Sequence, residues 1–462
     1  MQIVHVQPTR RFHMTPLIQF PEGSLPDERL RRRANGMMDA MTEFHGLPFS
    51  AAFTNPAAAV AAYHFVENDR LSFDMLTGAL GRAYGARISS TPDDTMLAVS
   101  DTTELELTRL VSARGFGTVG NPECCGEFLH TSILISTKGV FEGFLTAKTW
   151  VRPENQRGKA QTRRQRPFEE KESFRWWEQI QEAEKRVSRR GLLLHVADRE
   201  CDIFEVFQRS ASEQIRLLVR AAHNRRVEGD ERYLWETCEK WSVRGSRVLH
   251  IPAHRDSPDE PLLPARDAHI QLRFGQLMLR PPRSGEAAVE SLPLQAILIR
   301  EIAAPDDVKP VEWLLLTSDP LPDEAAAWLH VDYYRLRWGI EEFHKCLKSG
   351  CKVEERQYQE REHFDIHLAL AIPVALRILR LTKLAREEPD LPASHELEPD
   401  ELVVLFRRPV PTEGSTLQEA VRKIAMLGGY LGRRGDGPPG WLRLWRGYSR
   451  MCAQVEGYRL RL

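Results

Sequence analysis

Residues 192–198 read Leu192-Leu193-Leu194-His195-Val196-Ala197-Asp198, and the fold is decided by how this stretch is taken. A run so nearly apolar, with no regular polar alternation, suits a strand buried on both faces rather than one lying on a solvated sheet. A carboxylate closes it. The pattern occurs again upstream, where Met96-Leu97-Ala98-Val99 leads through Ser100 to Asp101. Two buried-type strands that each end in aspartate predict an α/β core with acids at the carboxyl edge of its sheet. Taken singly, either aspartate could equally be a turn residue or a helix cap.

Outward from these strands the texture of the chain suggests its organisation. Ile133–Ile135 and Val140–Leu145, joined by Lys138-Gly139, predict a hairpin. A helix carrying Trp176 and Trp177 precedes the second strand. Residues 1 to about 80 read as helical, with Arg29, Arg31, Arg32 and Arg33 near the start and alanines later. From about 212 to 310 apolar and polar positions alternate, as at Ile270, Leu272 and Phe274, which predicts an inserted β-rich unit. A long helix is expected over about 323 to 349. The acidic, proline-containing stretch 387–401 reads as a linker. Helical segments follow it, one opened by Ser415-x-x-Gln418 in a capping-box pattern. The expected division is a helical domain over 1–80, a catalytic domain over 81–385 and a helical C-terminal domain over 386–462.

Composition excludes several classes. With 462 residues, 42% hydrophobic and 28% charged, the chain is globular and long enough for two to four domains. Apolar stretches such as Leu368–Leu376 fall short of a membrane span, and no secretory pattern opens the chain. Seven cysteines without a CxxC pair point to reduced thiols, away from a zinc site or a disulfide framework. A net charge of −1 does not advertise a nucleic-acid binder. The charge is uneven, however. Six basic residues and one acid lie between Arg152 and Arg166, while Glu387 to Glu401 holds seven acids and no Lys or Arg. Gly115, Gly117 and Gly120 spell GxGxxG, but strands rather than an amphipathic helix are expected after them, so they read as a flexible loop.

The expected long helix carries the chemistry. At about 100° per residue, Arg337, Glu341, Lys345 and Lys348 fall within about 60° of Tyr334. Leu336, Ile340, Phe343 and Leu347 fall on the opposite side. A charged face is ordinarily a solvated one. Yet Tyr334 and Trp338 share this face and are poor choices for open water. An acid flanked by cations and aromatic rings suits a DNA end, with cations and the tyrosine hydroxyl on phosphates, rings on bases and the carboxylate on a metal ion.

Here the residues resemble a known family. Tyr334, Arg337, Glu341 and Lys348 spell Y-x2-R-x3-E-x6-K, the signature of the type-four insertion-sequence transposases, bacterial DDE enzymes that move DNA by cut and paste. Ser100-Asp101-Thr102-Thr103 is similar to the family's first aspartate motif, and Asp198-Arg199-Glu200-x-Asp202-Ile203 to its second. Trp313 to Ser318 and Ile340 to Lys345 are similar too. Asp27, Arg29, Leu30 and Arg33, with Tyr63, Phe65 and Asn68, resemble the N-terminal DNA-binding segment, and Leu427-Gly428-Gly429 and Trp441-x3-Trp445 the C-terminal helices. His64 stands where the family commonly has arginine.

The resemblance implies an α/β fold with a ribonuclease-H-like catalytic core, interrupted by the β-rich insertion and flanked by helical domains. It implies that Asp101, Asp198 and Glu341 hold two divalent ions, Mg²⁺ with Mn²⁺ as substitute. Tyr334, Arg337, Lys348, Lys345 and Arg220 would hold DNA phosphates, and Trp313 and Trp338 would stack on bases. The implied partners are double-stranded DNA, as transposon ends and target, and a second copy of the chain. No membrane is involved, and the setting is the bacterial cytoplasm at the nucleoid. The expected route is nicking, hairpin formation at the transposon end, hairpin opening and strand transfer. Two other readings stand beside it, a hydrolytic nuclease without strand transfer and a non-catalytic DNA-binding descendant that blocks transposition.

Overall fold

The computed structural model describes residues 19–53, 55–92, 95–107, 113–120, 124–152, 166–251, 263–282, 290–306, 308–407 and 414–460. The first fifteen residues and nearly all of the basic run between Arg152 and Arg166 lie outside these. The fold is mixed α/β. In chain order come helices α1 (Glu28–Glu43), α2 (Phe49–Ala52), α3 (Pro56–Val66) and α4 (Phe73–Ser89), then strands β1 (Met96–Glu106), β2 (Gly117–Thr118), β3 (Cys125–Ser136) and β4 (Phe141–Trp150). Next are α5 (Phe174–Arg186), β5 (Leu193–Ala197), α6 (Phe204–Glu213), β6 (Arg216–Arg220), α7 (Leu234–Lys240), β7 (Gly245–Ile251), β8 (Arg266–Leu279), β9 (Leu292–Glu301) and β10 (Glu312–Thr317). The last elements are α8 (Glu324–Leu336), α9 (Gly339–Lys345), α10 (Arg361–Glu387), α11 (Pro399–Phe406), α12 (Leu417–Leu427) and α13 (Trp441–Arg459). Two compact units result, one of Met1–Thr91, Thr102–Arg157 and Gly339–Leu462, the other of Pro92–Asp101 and Gly158–Trp338.

In the first unit the early helices start where short polar side chains satisfy free backbone donors. Asp27 accepts from the Leu30 amide, Asn55 from Ala57 and Ser72 from Met75. The expected hairpin is present as β3 and β4, turning at Gly139 with φ +86°. Gly143 of β4 has φ +133°, and a Cβ there would meet the Tyr84 ring at 2.2 Å, so only glycine lets α4 lie so close. Helix α10 buries most of its length, including Leu368 to Leu376, and packs on α1, α4 and β4. The stretch read as a linker, 387–401, is folded instead. Ala393 and Leu397 are buried in the C-terminal core, and the Ala393 amide donates to Ser415 O at 2.9 Å. Acids dominate its composition, but the apolar residues at 391, 393 and 397 decide its packing. The capping box of α12 is likewise shifted by one residue, with Thr416 and Glu419 exchanging bonds in place of Ser415 and Gln418.

The second unit is built on a mixed sheet. β1 pairs in parallel with β5, Met96 opposite Leu193 through Ser100 opposite Ala197, and β5 pairs in parallel with β6. β6 then pairs antiparallel with β10, and β10, β9, β8 and β7 follow antiparallel in that order. The alternating residues correspond to β7, β8 and β9, whereas β6, at the start of that span, joins the parallel strands. Trp176 and Trp177 of α5 are buried with Phe204, Phe207, Leu217 and Leu314.

Two expectations about single elements need correction. β1 does not end at Asp101 but runs on to Glu106. Apolar run length marks where burial on both faces stops, not where strand pairing stops. Nor is there one long helix. α8 ends at Leu336, where the Arg337 and Trp338 amides reach back only three residues, to Tyr334 O and Arg335 O. α9 restarts at Gly339 and ends in a wide π turn over Cys346–Gly350. Apolar periodicity survives such a break, so it could not show it. Ile340, Phe343 and Leu347 are all buried as the stripe requires.

Candidate active site

The β1–β5 register decides where the two aspartates stand. Ser100 lies opposite Ala197, so Asp101 and Asp198 follow on the next rung of neighbouring parallel strands, whose backbones run about 4.8 Å apart. β5 stops there. Asp198 caps the 3₁₀ turn Arg199–Cys201, its Oδ1 accepting from the Glu200 amide at 2.9 Å. Asp101 is only 9% exposed, and its Oδ2 accepts from Arg337 Nη1 at 3.0 Å. Asp202, the last acid of the second motif, serves structure. Its side chain accepts from the Ala222 and His223 amides at 2.7 and 3.0 Å and from Arg225 Nε at 2.6 Å.

Cations and rings surround the pair. Tyr334 is buried, and burial raises its hydroxyl pKa, with Arg337 and Arg220 pulling it down and Asp198 pushing it up. Its ring meets that of Trp313 edge-on, centroids 5.2 Å apart. The Arg337 guanidinium carbon is 6.0 Å from the Tyr334 ring centre. Arg220 donates from Nη2 to Glu312 O at 3.0 Å; burial lowers its pKa, and the charges of Arg199 and Arg337 add to that. The second unit therefore gathers Asp101, Asp198, Tyr334, Arg337, Arg220 and Trp313. Arg199 joins them without having been singled out by sequence, although it sits inside the second aspartate motif. Trp338, expected to avoid water, is 65% exposed.

Glu341, Lys345 and Lys348 belong to the first unit. Glu341 is half-buried on α9 and Lys345 is exposed. Lys348 donates to Glu104 O and lies 3.4 Å from Glu354 Oε1. Among the described residues no group of three His, Cys, Asp or Glu side chains is gathered to hold a metal ion. What fits one is the pair Asp101 and Asp198, whose hard carboxylate oxygens, one within β1 and one at the end of β5, suit a divalent cation.

The comparisons with known proteins bear on this arrangement. Residues 170–376 match the family described as "Transposase DDE domain". The chain carries a DDE transposase domain. The enzyme class read from the sequence is borne out by this match, and with it goes dependence on a divalent metal ion. Residues 373–461 match the "Transposase Tn5 dimerisation domain", which begins within α10. Among solved structures, a piggyBac transposase synaptic complex with hairpin DNA is 11% identical over 80% of this chain, with a TM-score of 0.32. The chain spans 55% of the length of that protein, and a likeness at this level is too low to establish a shared fold. No described helix is long and apolar enough to cross a membrane.

Proposed function

We propose that this chain is a transposase of the type-four insertion-sequence family. It cuts transposon ends and joins them to target DNA in a Mg²⁺-dependent reaction at Asp101, Asp198 and Glu341. The observation that carries the reading is the placement of Asp101 beside Asp198, just beyond the last rung of the β1–β5 pairing and amid Arg199, Arg220 and Arg337; Asp198 and the three arginines fall inside the segment 170–376 that matches a DDE domain. A strand pair β1–β5 extended in parallel by β6 is also what a ribonuclease-H-like core needs. The helical N-terminal part, the β-rich insertion after β6 and a C-terminal dimerisation part divide the labour as the sequence suggests. Cutting both ends in one complex calls for two copies of the chain, acting on DNA in the bacterial cytoplasm.

The bound metal supplies charge that activates a water or 3′-hydroxyl and stabilises the leaving oxygen. The rest falls to the protein. Asp101 and Asp198 hold the cation, with Glu341 as third ligand. Arg337, Arg220 and the Tyr334 hydroxyl hold the end phosphate, joined by Lys348 and Lys345, and charge-assisted bonds of this kind position without reading sequence. Trp313 and Trp338 offer faces to an unstacked base, which suits a hairpin route. The test is to replace Asp101, Asp198 or Glu341 by its amide and incubate the protein with its gene's flanking DNA and Mg²⁺. End binding should stay within a few-fold, because affinity comes mostly from cation–phosphate contacts. Cleavage should fall by orders of magnitude. Near-normal cleavage by any one variant removes that residue from the site.

A further inference from the structure

The bond between Arg337 and Asp101 joins a residue read as a phosphate ligand to one read as a metal ligand. Both side chains are mostly buried, 14% and 12% exposed, and the Nη1–Oδ2 distance is 3.0 Å. A guanidinium there does two things at once. It neutralises the carboxylate, and it sets a positive charge within a few ångströms of any cation that the carboxylate would bind. The wider balance points the same way. Asp101 and Asp198 are two acids of this cluster, and the charges of Arg337 and Arg199 both act on Arg220 beside them. Positive charge so close to the two carboxylates disfavours a divalent cation. A DNA phosphate reverses that balance, and it offers Arg337 an acceptor at least as good as the carboxylate, since guanidinium pairs with either in the same forked geometry.

We propose that Arg337 couples the two ligands of the site: Asp101 holds it until a DNA phosphate draws it away, so that phosphate and divalent cation bind cooperatively. This rests on the reading of Asp101 as a metal ligand. The arrangement makes the protein a poor metal binder while free and a good one on DNA, so the hydrolytic centre is assembled on its substrate. Linkage requires the effect to be mutual, with the cation tightening DNA by the factor by which DNA tightens the cation.

The experiment uses the full chain, Mn²⁺ as probe, and a duplex carrying the gene's flanking end sequence. Mn²⁺ affinity is read by calorimetry or by the loss of its free electron-spin signal, so that no turnover is needed. In the wild type, the duplex should tighten Mn²⁺ by on the order of tenfold or more. Arg337→Ala should bind Mn²⁺ without DNA nearly as tightly as the wild type does with it, and the duplex should add little. Arg337→Lys, which keeps the charge and guards against misfolding of the alanine variant, should retain weak Mn²⁺ binding in the free protein. A folded Arg337→Ala with wild-type Mn²⁺ affinity and undiminished coupling overturns the proposal. Asp101→Asn separates the two levels of the argument. If it binds Mn²⁺ as the wild type does, the metal assignment of Asp101 fails and the coupling falls with it. If it loses Mn²⁺ while Arg337→Ala shows no gain, only the coupling fails.

Discussion

Trp313 shows what one side chain's surroundings can and cannot do. It is half-buried at the head of β10, opposite Ile299 of β9, with its ring edge-on to Tyr334. A fully buried tryptophan cut to alanine costs about 3–5 kcal/mol. A half-buried one should cost clearly less, although the ring pair itself contributes about 0.5–1.5 kcal/mol. Trp313→Ala is therefore expected to fold, to nick the first strand near the normal rate, and to stall before the hairpin. An abasic nucleotide at the end should partly rescue it. Parallel loss of nicking and hairpin formation, followed on sequencing gels, would exclude a stacking role. Titration makes a second test at this scale. Burial pushes His367 down to about 3, with the Arg356 charge acting in the same direction. Because that folded value lies below the ordinary 6.5, the histidine's contribution is present above pH 6.5 and is lost as pH falls toward 3, by about 1.4 kcal/mol per unit. The buried acids Asp365 and Glu127 act with the opposite sign. Burial pushes Asp365 up to about 6 and Glu127 well above its usual range, so their contribution is present at low pH and is lost as pH rises through those values. His367→Gln should consequently lose less melting temperature than the wild type between pH 7 and 5, while Asp365→Asn should lose more. Identical slopes in all three proteins would count against both assignments.

Glycines in the C-terminal helices argue the case for elements. α12 and α13 cross where Gly428 and Gly447 meet; a Cβ on Gly447 would sit 1.7 Å from Ile424 O, and one on Gly428 1.9 Å from Arg443 O. Backbone cannot yield as a side-chain tip can, so Gly447→Ala should destabilise by about 3 kcal/mol. Gly457, on the same helix, has open space around its Cβ position, and Gly457→Ala should stabilise by up to about 1 kcal/mol through helix propensity alone. Opposite shifts in denaturant midpoint are the expected result; equal shifts would mean that the helices are not in contact. Elements with strong local signals were legible in the sequence. The buried runs ending at Ala197 and Val99, the Lys138-Gly139 turn and the tryptophan-bearing helix all stand where they were read. What escaped depends on partners distant in the chain. β1 continues past Asp101 alongside β3, beyond the end of its pairing with β5, and no residue of β1 announces that. The break at Arg337 and Trp338 escaped because apolar spacing is the same on either side of it. Arg199 was missed for a similar reason, since a cation beside a capping aspartate reads as surface until the fold brings its charge to bear on Arg220.

At the scale of the whole molecule, the C-terminal segment has two roles that a single truncation cannot separate. Trp445 of α13 is fully buried, and its Nε1 donates to Thr42 O of α1 at 3.0 Å; His45 stacks on the same indole with centroids 5.1 Å apart. Gly350, at the end of the π turn, leaves room for the Trp445 ring, since a Cβ there would lie 2.6 Å from it. Removing everything after about residue 390 thus uncovers the N-terminal helices as well as deleting the segment that matches a dimerisation domain. The truncated protein should lose cooperative melting of the first unit, and with it end binding, so failure to form a paired-end complex would say nothing about dimerisation. A surface substitution keeps the roles apart. Leu431, just beyond α12, is 62% exposed and Met426 is 53% exposed, both within the segment that matches a dimerisation domain. Leu431→Glu should leave melting and single-end binding unchanged, because the side chain contributes little to the protein's own core. It should weaken self-association by on the order of tenfold or more if this surface is buried between two copies, as expected when a charge enters an apolar contact. Sedimentation of the free protein and gel mobility of paired ends would be read side by side. Paired complexes at normal yield from Leu431→Glu, with Met426→Glu behaving alike, would move the dimer contact to another face of the segment 373–461.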